Sequence, residues 1–313
     1  MFFGHPLHHS SRRKERMRQV IYDKAMDGIT ISRIIRNYEF NMPFKHTHDE
    51  YEIYYLIRGE RSYFIENRLY HVQPGSLVFI NRNVIHMTSQ YGENYHERIV
   101  LELNEEPLSS MLASTGELSL PDFFRLHQGI IQVSPENQSY ILSLFDGIAD
   151  ELATQDPGFR LMALEKLTRL LVFSLRYFQR SEPELLSDSP IHRRISEIAA
   201  YICDHYADAG SLEQVAQHFY MSKSYLSRVF KECTGYTVNE YINVNRIQQA
   251  RKILAETTLP VSDIASSLGY ESVTYFEKVF RKHTETSPLK YRRQYLKDTQ
   301  APAVRPQSHI GEQ

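Results

Sequence analysis

Tryptophan is absent from this 313-residue sequence, and cysteine occurs only twice. Cys203 and Cys233 both lie in segments with helical spacing, and two cysteines cannot form the disulfide framework of a small secreted domain. No apolar run approaches the roughly 18 residues needed to span a bilayer. The first 20 residues have no apolar core of the signal-peptide type. We therefore expect a cytoplasmic protein in a reducing compartment.

The chain is long enough for two ordinary domains and a connector. Its composition, 42% hydrophobic and 24% charged, is typical of globular proteins. The net charge of −2 is unevenly distributed. Residues 190–297 hold 15 Lys and Arg against 11 Asp and Glu, and the rest of the chain holds 21 against 27. The mild basicity of the last third permits a nucleic-acid partner there, whereas the acidic remainder argues against a protein that coats nucleic acid along its length.

The last third of the chain contains one helix pair twice. Nine positions of the first copy have a similar residue in the second, at an offset of 49 for the first four and 50 for the others. The first set is Leu212, Val215, Ala216, Phe219, Tyr225, Leu226, Phe230, Lys231 and Tyr241, and the second is Val261, Ile264, Ala265, Leu268, Tyr275, Phe276, Phe280, Arg281 and Tyr291. The change of offset predicts one extra residue in the turn of the second copy. Each copy has the pattern of a short helix, a tight turn and a second helix, which can place a helix in the major groove of DNA.

Hydrophobic periodicity and turn residues divide the rest of the chain. Short β-type runs at 30–35, 52–57, 62–65, 76–80 and 98–103 predict a sandwich or barrel. From residue 135 the period is helical and predicts helices at 135–152, 159–179, 190–207, 211–219, 223–233, 237–256, 260–268, 273–283 and 288–296. The second of these has one apolar stripe, at Leu161, Leu164, Leu167, Leu171 and Leu175.

The second helix of each copy is predicted to bury one side and expose the other. Leu226, Val229 and Phe230 face the core in the first copy, and Phe276, Val279 and Phe280 in the second. The exposed sets are Lys223, Ser224, Ser227, Arg228 and Lys231, and Val273, Thr274, Glu277, Lys278 and Arg281. Short polar residues mixed with cations suit base reading and phosphate anchoring, although solvated helix faces have the same composition. The helix between the copies would be about 28 Å long, on the scale of one DNA turn.

Residues 190–297 resemble the DNA-binding domain of the AraC/XylS family of transcription regulators. The resemblance is carried by residues 221–231 and Thr234-Gly235, and in the second copy by Ile264-Ala265, Leu268-Gly269-Tyr270, Tyr275-Phe276, Val279-Phe280-Arg281-Lys282, Ser287-Pro288 and Tyr291-Arg292. It implies two helix-turn-helix units that bind one face of DNA near promoters. The implied base contacts are Ser224, Ser227 and Arg228, then Val273, Thr274, Glu277 and Lys278. The family usually has glycine where Glu285 stands, so we expect the helix before Glu285 to close differently, at a small cost in stability.

The β-rich region resembles the cupin pattern, a small jelly-roll barrel whose two motifs can supply three His and one Glu to a metal. The matching residues are His46-Thr47-His48, Glu52, Gly59, Pro74-Gly75 and His86, and the glycine usual before the first motif is Phe40 here. Residues two apart on a strand share a face, which brings His46 and His48 together, and Glu52 with them if the strand continues. These side chains suit a divalent transition metal. They also suit a small effector held without metal by His46, His48, Glu52, Tyr54 and His86, for which a sugar or carbohydrate-derived molecule is favoured, or a purely structural role.

The combined interpretation is a two-domain, effector-responsive DNA-binding regulator of the mixed α+β class. The predicted segments are a flexible basic arm (1–18), a cupin-like effector-sensing barrel (19–133), a helical dimerisation segment (134–180), a linker (181–190), a DNA-binding domain of two helix-turn-helix units (191–297) and a disordered tail (298–313). The resemblance implies homodimers, RNA polymerase as a partner and activation rather than repression. Packing of 134–180 against the barrel is the alternative to dimerisation. The alternative functions are a metal-dependent cupin isomerase or dioxygenase with a helical appendage, and a constitutive DNA-binding protein whose barrel only dimerises.

Overall fold

The computed structural model describes residues 16–40, 48–113, 116, 118–178 and 190–298. The chain divides into two compact units, with the boundary between Asp188 and Ser189. The predicted arm lies outside these ranges up to residue 15, the predicted linker up to residue 189, and the predicted tail from residue 299. Arg18 already belongs to the first strand and Pro190 to the first helix of the second unit. Within the described ranges, no helix is long and apolar enough to cross a bilayer.

The first unit is built from strands followed by helices. The strands are β1 Arg18–Met26, β2 Ile29–Arg36, β3 Tyr51–Arg58, β4 Glu60–Ile65, β5 Arg68–Val72, β6 Ser76–Ile80, β7 His86–Tyr91, β8 His96–Leu103 and β9 Gly129–Gln132. The helices are α1 Glu106–Ala113, α2 Leu120–Leu126, α3 Pro135–Thr154 and α4 Phe159–Phe178. One sheet has the order β1-β2-β8-β3-β6-β9 and the other the order β5-β4-β7, with antiparallel pairing throughout.

The two sheets enclose one core, and the helices cover a second. Tyr54 and Leu56 of β3 pack with Tyr63 and Ile65 of β4, so these side chains lie between the sheets. The alternate residues of β3 point to the other face of the six-stranded sheet, where the Tyr55 ring stacks at 5.7 Å on Phe145 of α3. Strand β3 is therefore buried on both faces, and its uninterrupted apolar run reflects this. The predicted fold class, an antiparallel β domain followed by a helical domain, is confirmed.

The apolar stripe of α4 is only partly used inside the unit. Leu167 and Leu171 are fully buried in the core between the sheet and the helices. Leu161, at the start of the same stripe, is 65% exposed, and its neighbour Met162 is also exposed. The buried part of the stripe therefore packs on the barrel, which was the alternative to dimerisation, and an apolar end remains on the surface.

Four strands were not predicted from the sequence. Strand β1 is an edge strand with mostly exposed residues, β5 and β7 mix polar and aromatic residues, and β9 is four residues long and follows the helices α1 and α2. Each lacks the alternating apolar signal by which the other five were recognised. Their pairing is set by tertiary contact with those five strands.

The second unit carries the duplicated helix pair. Its helices are α5 Pro190–Asp204, α6 Leu212–His218, α7 Lys223–Thr234, α8 Val238–Glu256, α9 Val261–Ser267, α10 Val273–Thr284 and α11 Pro288–Asp298. The first copy is α6 with α7, the second is α9 with α10, and α8 joins them. Four residues, 219–222, separate α6 from α7, and five, 268–272, separate α9 from α10. This confirms the predicted one-residue insertion.

The end of α10 corrects the expectation for Glu285. Its φ is +57°, and its N–H donates to the Arg281 carbonyl at 2.9 Å. Gly235 closes α7 in the same manner, with φ +73° and an N–H donating to the Lys231 carbonyl at 2.8 Å. The prediction that the two helices close differently is therefore wrong. A glutamate is held in the left-handed conformation that glycine adopts without steric cost.

Candidate functional sites

Helix α7 presents a polar face to solvent. The Ser222 hydroxyl accepts a hydrogen bond from the Tyr225 N–H at 3.3 Å and so caps the start of the helix. Leu226, Val229 and Phe230 are buried, as predicted. On the opposite side Lys223, Ser224, Arg228 and Lys231 are exposed and Ser227 is half-buried. The first predicted DNA-binding set therefore forms one accessible surface.

Helix α10 repeats this arrangement. Ser272 caps it by accepting from the Tyr275 N–H at 3.4 Å, and Phe276, Val279 and Phe280 are buried. The second predicted set is also on the outside: Val273, Thr274, Lys278 and Arg281 are exposed, and Glu277 is half-buried. A helix with an anchored apolar side and an accessible polar side has the geometry that groove reading requires.

The two polar faces differ in charge pairing. Lys223 Nζ lies 3.2 Å from Glu213, and Arg228 Nη1 lies 3.2 Å from Glu232, one turn further along α7. The residue of α10 that corresponds to Glu232 is Lys282. In the described part of the chain, Lys278, Arg281 and Lys282 of α10 have no ion pair. Since exposed ion pairs contribute little, the cations of α7 can exchange their carboxylate partners for phosphate, whereas those of α10 have no carboxylate to release.

Arg246, in the middle of α8, ties the second copy to the loop after α5. Its Nε donates to the Tyr206 carbonyl at 2.7 Å and its Nη2 to the Ala207 carbonyl at 3.0 Å. The guanidinium also lies 5.2 Å from the centre of the Tyr270 ring. Burial lowers the pKa of this guanidinium. Sequence reasoning missed this residue because a single arginine in a helix gives no sign of being buried.

The first unit brings three of the predicted site residues together. His48 Nε2 lies 3.3 Å from Glu52 Oε2, and His86 Nε2 lies 3.6 Å from the same oxygen. The two imidazoles meet edge to face at 5.0 Å. Glu52 and His86 are buried and His48 is half-buried. Burial alone would raise the pKa of Glu52, but hydrogen bonds from His48 and His86 hold it well below its usual range.

The far sides of both imidazoles are held by backbone carbonyls. His48 Nδ1 is 3.0 Å from the Glu50 carbonyl and His86 Nδ1 is 2.9 Å from the Val84 carbonyl, so each Nδ1 carries a proton. Each Nε2 then carries either a second proton or a lone pair directed toward the Glu52 carboxylate. Two lone pairs and a carboxylate converging within 4.8 Å form the donor set of a metal ion, with the outer hydrogen bonds that fix metal-binding imidazoles. The three residues therefore fit a divalent transition metal.

The remaining predicted residues of this site have different positions. His46 lies outside the described residues. Tyr54 is buried between the sheets, with its ring 5.2 Å from the Tyr63 ring. Sequence reasoning missed Tyr63, whose hydroxyl donates to Glu52 Oε1 at 2.8 Å. No signal in the sequence could have shown this contact, because Tyr63 is one of several aromatic residues in ordinary strands.

Two families of known proteins match this chain. Residues 29–171 match the family described as AraC-like ligand binding domain. Residues 215–294 match the family described as helix-turn-helix domain. The first range contains Glu52 and His86, and the second contains the exposed polar faces of α7 and α10. Together the two ranges cover more than two thirds of the chain.

Several curated proteins are similar in sequence. The arabinose operon regulatory protein of Escherichia coli (strain K12) is 27% identical over 245 residues, which is 75% of this chain and 78% of that protein. The HTH-type transcriptional activator RhaS of Klebsiella pneumoniae (strain 342) is 26% identical over 250 residues, 78% of this chain and 85% of that protein. The uncharacterized HTH-type transcriptional regulator YijO of Escherichia coli (strain K12) is 37% identical over 133 residues, 42% of this chain but only 47% of that protein. All three are named as regulators and none as an enzyme.

Proposed function

Because this chain belongs to the AraC family of transcription regulators, we propose that it activates promoters in response to a small hydroxylated effector held between the sheets of its first unit. It is a regulator with a ligand-binding and a DNA-binding domain, not a cupin enzyme. The observation that supports the DNA-reading part is the repetition of one exposed polar face on α7 and α10, each backed by the same buried apolar triplet. A cytoplasmic location follows from this role and is part of the proposal.

The DNA contacts are divided between the two helices. Ser224, Ser227 and Arg228 read bases from α7, and Val273, Thr274, Glu277 and Lys278 read bases from α10. Lys223, Lys231 and Arg281 bind phosphates at the edges of these faces. An arginine can bridge a guanine edge with two hydrogen bonds, whereas a lysine acts as a point charge for phosphate. Helix α8, which joins the two copies, has 19 residues and is about 28 Å long, on the scale of one turn of DNA.

A mobility-shift assay on fragments of the promoters next to the gene tests this assignment. Arg228→Ala and Lys278→Ala should each weaken binding about tenfold, since a base or phosphate contact contributes about 1–3 kcal/mol. Arg125→Ala, which removes an exposed cation of α2 in the first unit, is the matched control and should leave affinity unchanged. Unchanged affinity in both test variants would contradict the helix assignment.

The effector site is assigned to the face of the barrel where His48, Glu52, Tyr54 and His86 lie, with His46 as a predicted neighbour. Imidazole, carboxylate and phenol groups can bind the hydroxyls of a sugar-like molecule, and the similar arabinose regulator supports a carbohydrate-derived ligand. Effector binding can alter transcription only if the two DNA-binding arrangements differ in their affinity for the effector.

Metal binding by His48, Glu52 and His86 is a second candidate for this site, favoured by the convergence of their ligand atoms. A bound divalent ion would supply a positive centre for effector oxygens. Elemental analysis of the purified protein should show near-stoichiometric metal in the wild type and its loss in His48→Ala. Metal content below a tenth of an equivalent after incubation with Zn²⁺, Mn²⁺ or Fe²⁺ would exclude this candidate and leave the hydrogen-bonding site.

Homodimerisation through α3 and α4 completes the proposal. The buried residues of α4 are committed to the barrel, so the dimer surface would include the exposed apolar end at Leu161 and Met162. Light scattering on the full chain should give twice the monomer mass for the wild type and the monomer mass for Leu161→Glu. A wild-type monomer at micromolar concentration would contradict this assignment without affecting the DNA-reading faces.

A further inference from the structure

Three arginines point into the space between the two sheets of the barrel. In the six-stranded sheet Arg36 of β2 is paired with His96 of β8, and Arg98 of β8 is paired with Leu56 of β3. Directly opposed residues share a face, and Leu56 belongs to the core between the sheets. Arg61 lies two residues before Tyr63 on β4 of the other sheet, and Tyr63 belongs to the same core. The three guanidiniums therefore approach one region from both sheets.

Two of these arginines are buried to an extent that is rare for unpaired charges, and Arg98 is half-buried. Arg36 is 5% exposed, Arg61 is 2% exposed and the neighbouring His96 is 2% exposed. Lys and Arg are almost never fully buried unless a partner neutralises them, because desolvation of a charged group costs several kcal/mol. A cluster of three cations adds mutual repulsion to this cost.

The acidic residues nearby are engaged elsewhere. Glu97, between His96 and Arg98 on β8, points to the other face of the sheet, where Arg33 Nη2 binds it at 2.7 Å. Glu52 binds Tyr63 and the two histidines described above. Within the described ranges, Arg36, Arg61 and Arg98 form no ion pair with a carboxylate. The cluster therefore has a positive charge that these protein residues do not neutralise.

Several donors of the cluster also have no hydrogen-bond partner. Arg61 is satisfied in part, since Nε donates to Thr88 at 3.2 Å and Nη2 to the Phe40 carbonyl at 2.6 Å. In the described part of the chain, Nε and Nη1 of Arg36, Nη1 of Arg98 and the Tyr54 hydroxyl are buried without a hydrogen-bond partner, although the Arg36 guanidinium lies 4.0 Å from the centre of the Phe40 ring. Buried donors are nearly always satisfied, so donors left open together on one face of a core indicate a ligand that accepts from them.

The electrostatics of the cluster agree with this. Burial lowers the pKa of His96 to about 3, and the charges of Arg61, Arg36 and Arg98 add to the effect. Burial and the Arg98 charge lower the pKa of Arg36, and burial lowers that of Arg61. His96 is thus neutral and can accept or donate one hydrogen bond, while the arginines supply the charge.

We propose that this arginine cluster, which comprises Arg36, Arg61 and Arg98, binds an oxyanion, so that the effector is a small hydroxylated acid rather than a neutral sugar. A carboxylate or a phosphate monoester fits, because both accept paired N–H donors from planar guanidiniums. The Tyr54 hydroxyl, between the cluster and Glu52, faces the hydroxylated body of such a molecule. This inference rests on the proposed function, since it takes the effector to lie between the sheets.

Thermal melting of the full-length protein tests the cluster without knowledge of the natural effector. The probes are inorganic phosphate, acetate, D-glucuronate and D-glucose 6-phosphate, with neutral D-glucose for comparison, and potassium chloride keeps the ionic strength constant. A probe at ten times its dissociation constant should raise the melting temperature by about 3 °C. D-Glucuronate acting more strongly than D-glucose 6-phosphate would identify a carboxylate, and the reverse order a phosphate ester. D-Glucose should have no effect.

The variants Arg36→Met and Arg98→Met keep the length of the side chain and remove the charge. Each should abolish the oxyanion-dependent shift, while Arg68→Met, an exposed arginine on β5, should retain it in full. Without a probe, the two cluster variants should melt at the same temperature as the wild type or higher, because an unneutralised buried charge is removed. If oxyanions raise the melting temperature equally in the wild type and in both cluster variants, or in none of them, the inference is wrong.

Mobility shifts with the same proteins separate this inference from the proposed function. If an oxyanion binds through the cluster but does not change the affinity for DNA, the anion site is supported and its role as the effector site is contradicted. If D-glucose changes the affinity for DNA while no oxyanion binds, the proposed regulatory function is supported and the oxyanion inference is contradicted.

Discussion

The two helix-turn-helix copies have a left-handed backbone conformation at the same two equivalent positions, but different residues adopt it. In the turn, the first copy has Tyr220 at φ +54° and the second has Gly269 at φ +78°. At the end of the second helix the order is reversed, with Gly235 in the first copy and Glu285 in the second. Each copy therefore holds one glycine and one larger residue in the left-handed region. Glycine is not required by the conformation alone, since Tyr220 and Glu285 tolerate it.

Space decides where the glycine is essential. Tyr220 is 96% exposed, so its side chain meets no obstacle. A Cβ on Gly269 would lie 2.1 Å from the Ala207 carbonyl oxygen and 2.8 Å from Arg246 Nη2. The turn of the second copy thus docks closely on the loop after α5, whereas the turn of the first copy is open to solvent. Gly269 is therefore required because there is no room for a side chain, whereas the positive φ alone does not require glycine.

The largest expected effect is that of Gly269→Ala. The added methyl group has a backbone oxygen in its path and a positive φ, so we expect the second unit to lose about 3 kcal/mol of unfolding free energy. Urea unfolding followed by circular dichroism at 222 nm measures this. Tyr220→Ala, at the equivalent position of the first copy, should change the unfolding free energy by less than about 0.5 kcal/mol. Equal losses in both variants would show that the docking contact at Gly269 contributes nothing.

Substitutions at the ends of α10 and α7 should change the free energy of unfolding in opposite directions. Glu285→Gly relieves a left-handed non-glycine residue and should stabilise the second unit by about 1 kcal/mol, less the entropy that glycine adds to the unfolded chain. Gly235→Ala introduces the same conflict into α7 and should destabilise by about 1 kcal/mol. The same urea titrations measure both. Destabilisation by Glu285→Gly would mean that the glutamate side chain makes a contribution larger than its backbone cost.

The smallest expected effect concerns the charges of the two reading faces. Glu232→Gln removes the carboxylate that competes with DNA for Arg228 and should tighten binding about threefold. Lys282→Gln, at the matching position of α10, should weaken binding about threefold. Mobility shifts at two salt concentrations measure both, and the Lys282 variant should also have a shallower salt dependence. Loss of affinity in the Glu232 variant would indicate that the glutamate positions Arg228 rather than competing for it.

The sequence predicted the helical unit better than the β unit. Serine caps such as Ser222 and Ser272, together with apolar residues at intervals of three and four, are local signals, and they placed α7 and α10 to within one residue at each end. Strand β9 has only four residues and is separated from its partner β6 by two strands and two helices, so its existence depends on a contact that no local pattern encodes. The closure at Glu285 was mispredicted because the contacts around a helix end can impose a conformation that its residue does not favour.

The residues of the barrel site could likewise be predicted from the sequence only in part. His48, Glu52 and His86 could be found because their residue types and spacing resemble a known pattern, and the structure brings all three within reach of one another. Arg36, Arg61 and Arg98 could not be found, because an arginine in a strand normally indicates a solvent-facing position. They are separated by 25 and 37 residues along the chain, and only the closing of one sheet over the other brings them to the same region.

Arg246 has a consequence for the DNA that this protein can bind. Its guanidinium joins the long helix to the carbonyls of Tyr206 and Ala207 and to the ring of Tyr270, so α8 and the second copy are held to the loop after α5 at one point. If α7 and α10 read DNA as proposed, this contact opposes a movement of the second copy relative to α5. A spacer lengthened by one base pair rotates one half-site by about a tenth of a turn relative to the other. Because the contact opposes a movement that would follow this change of phase, we expect weaker binding to a promoter whose spacer is lengthened by one base pair.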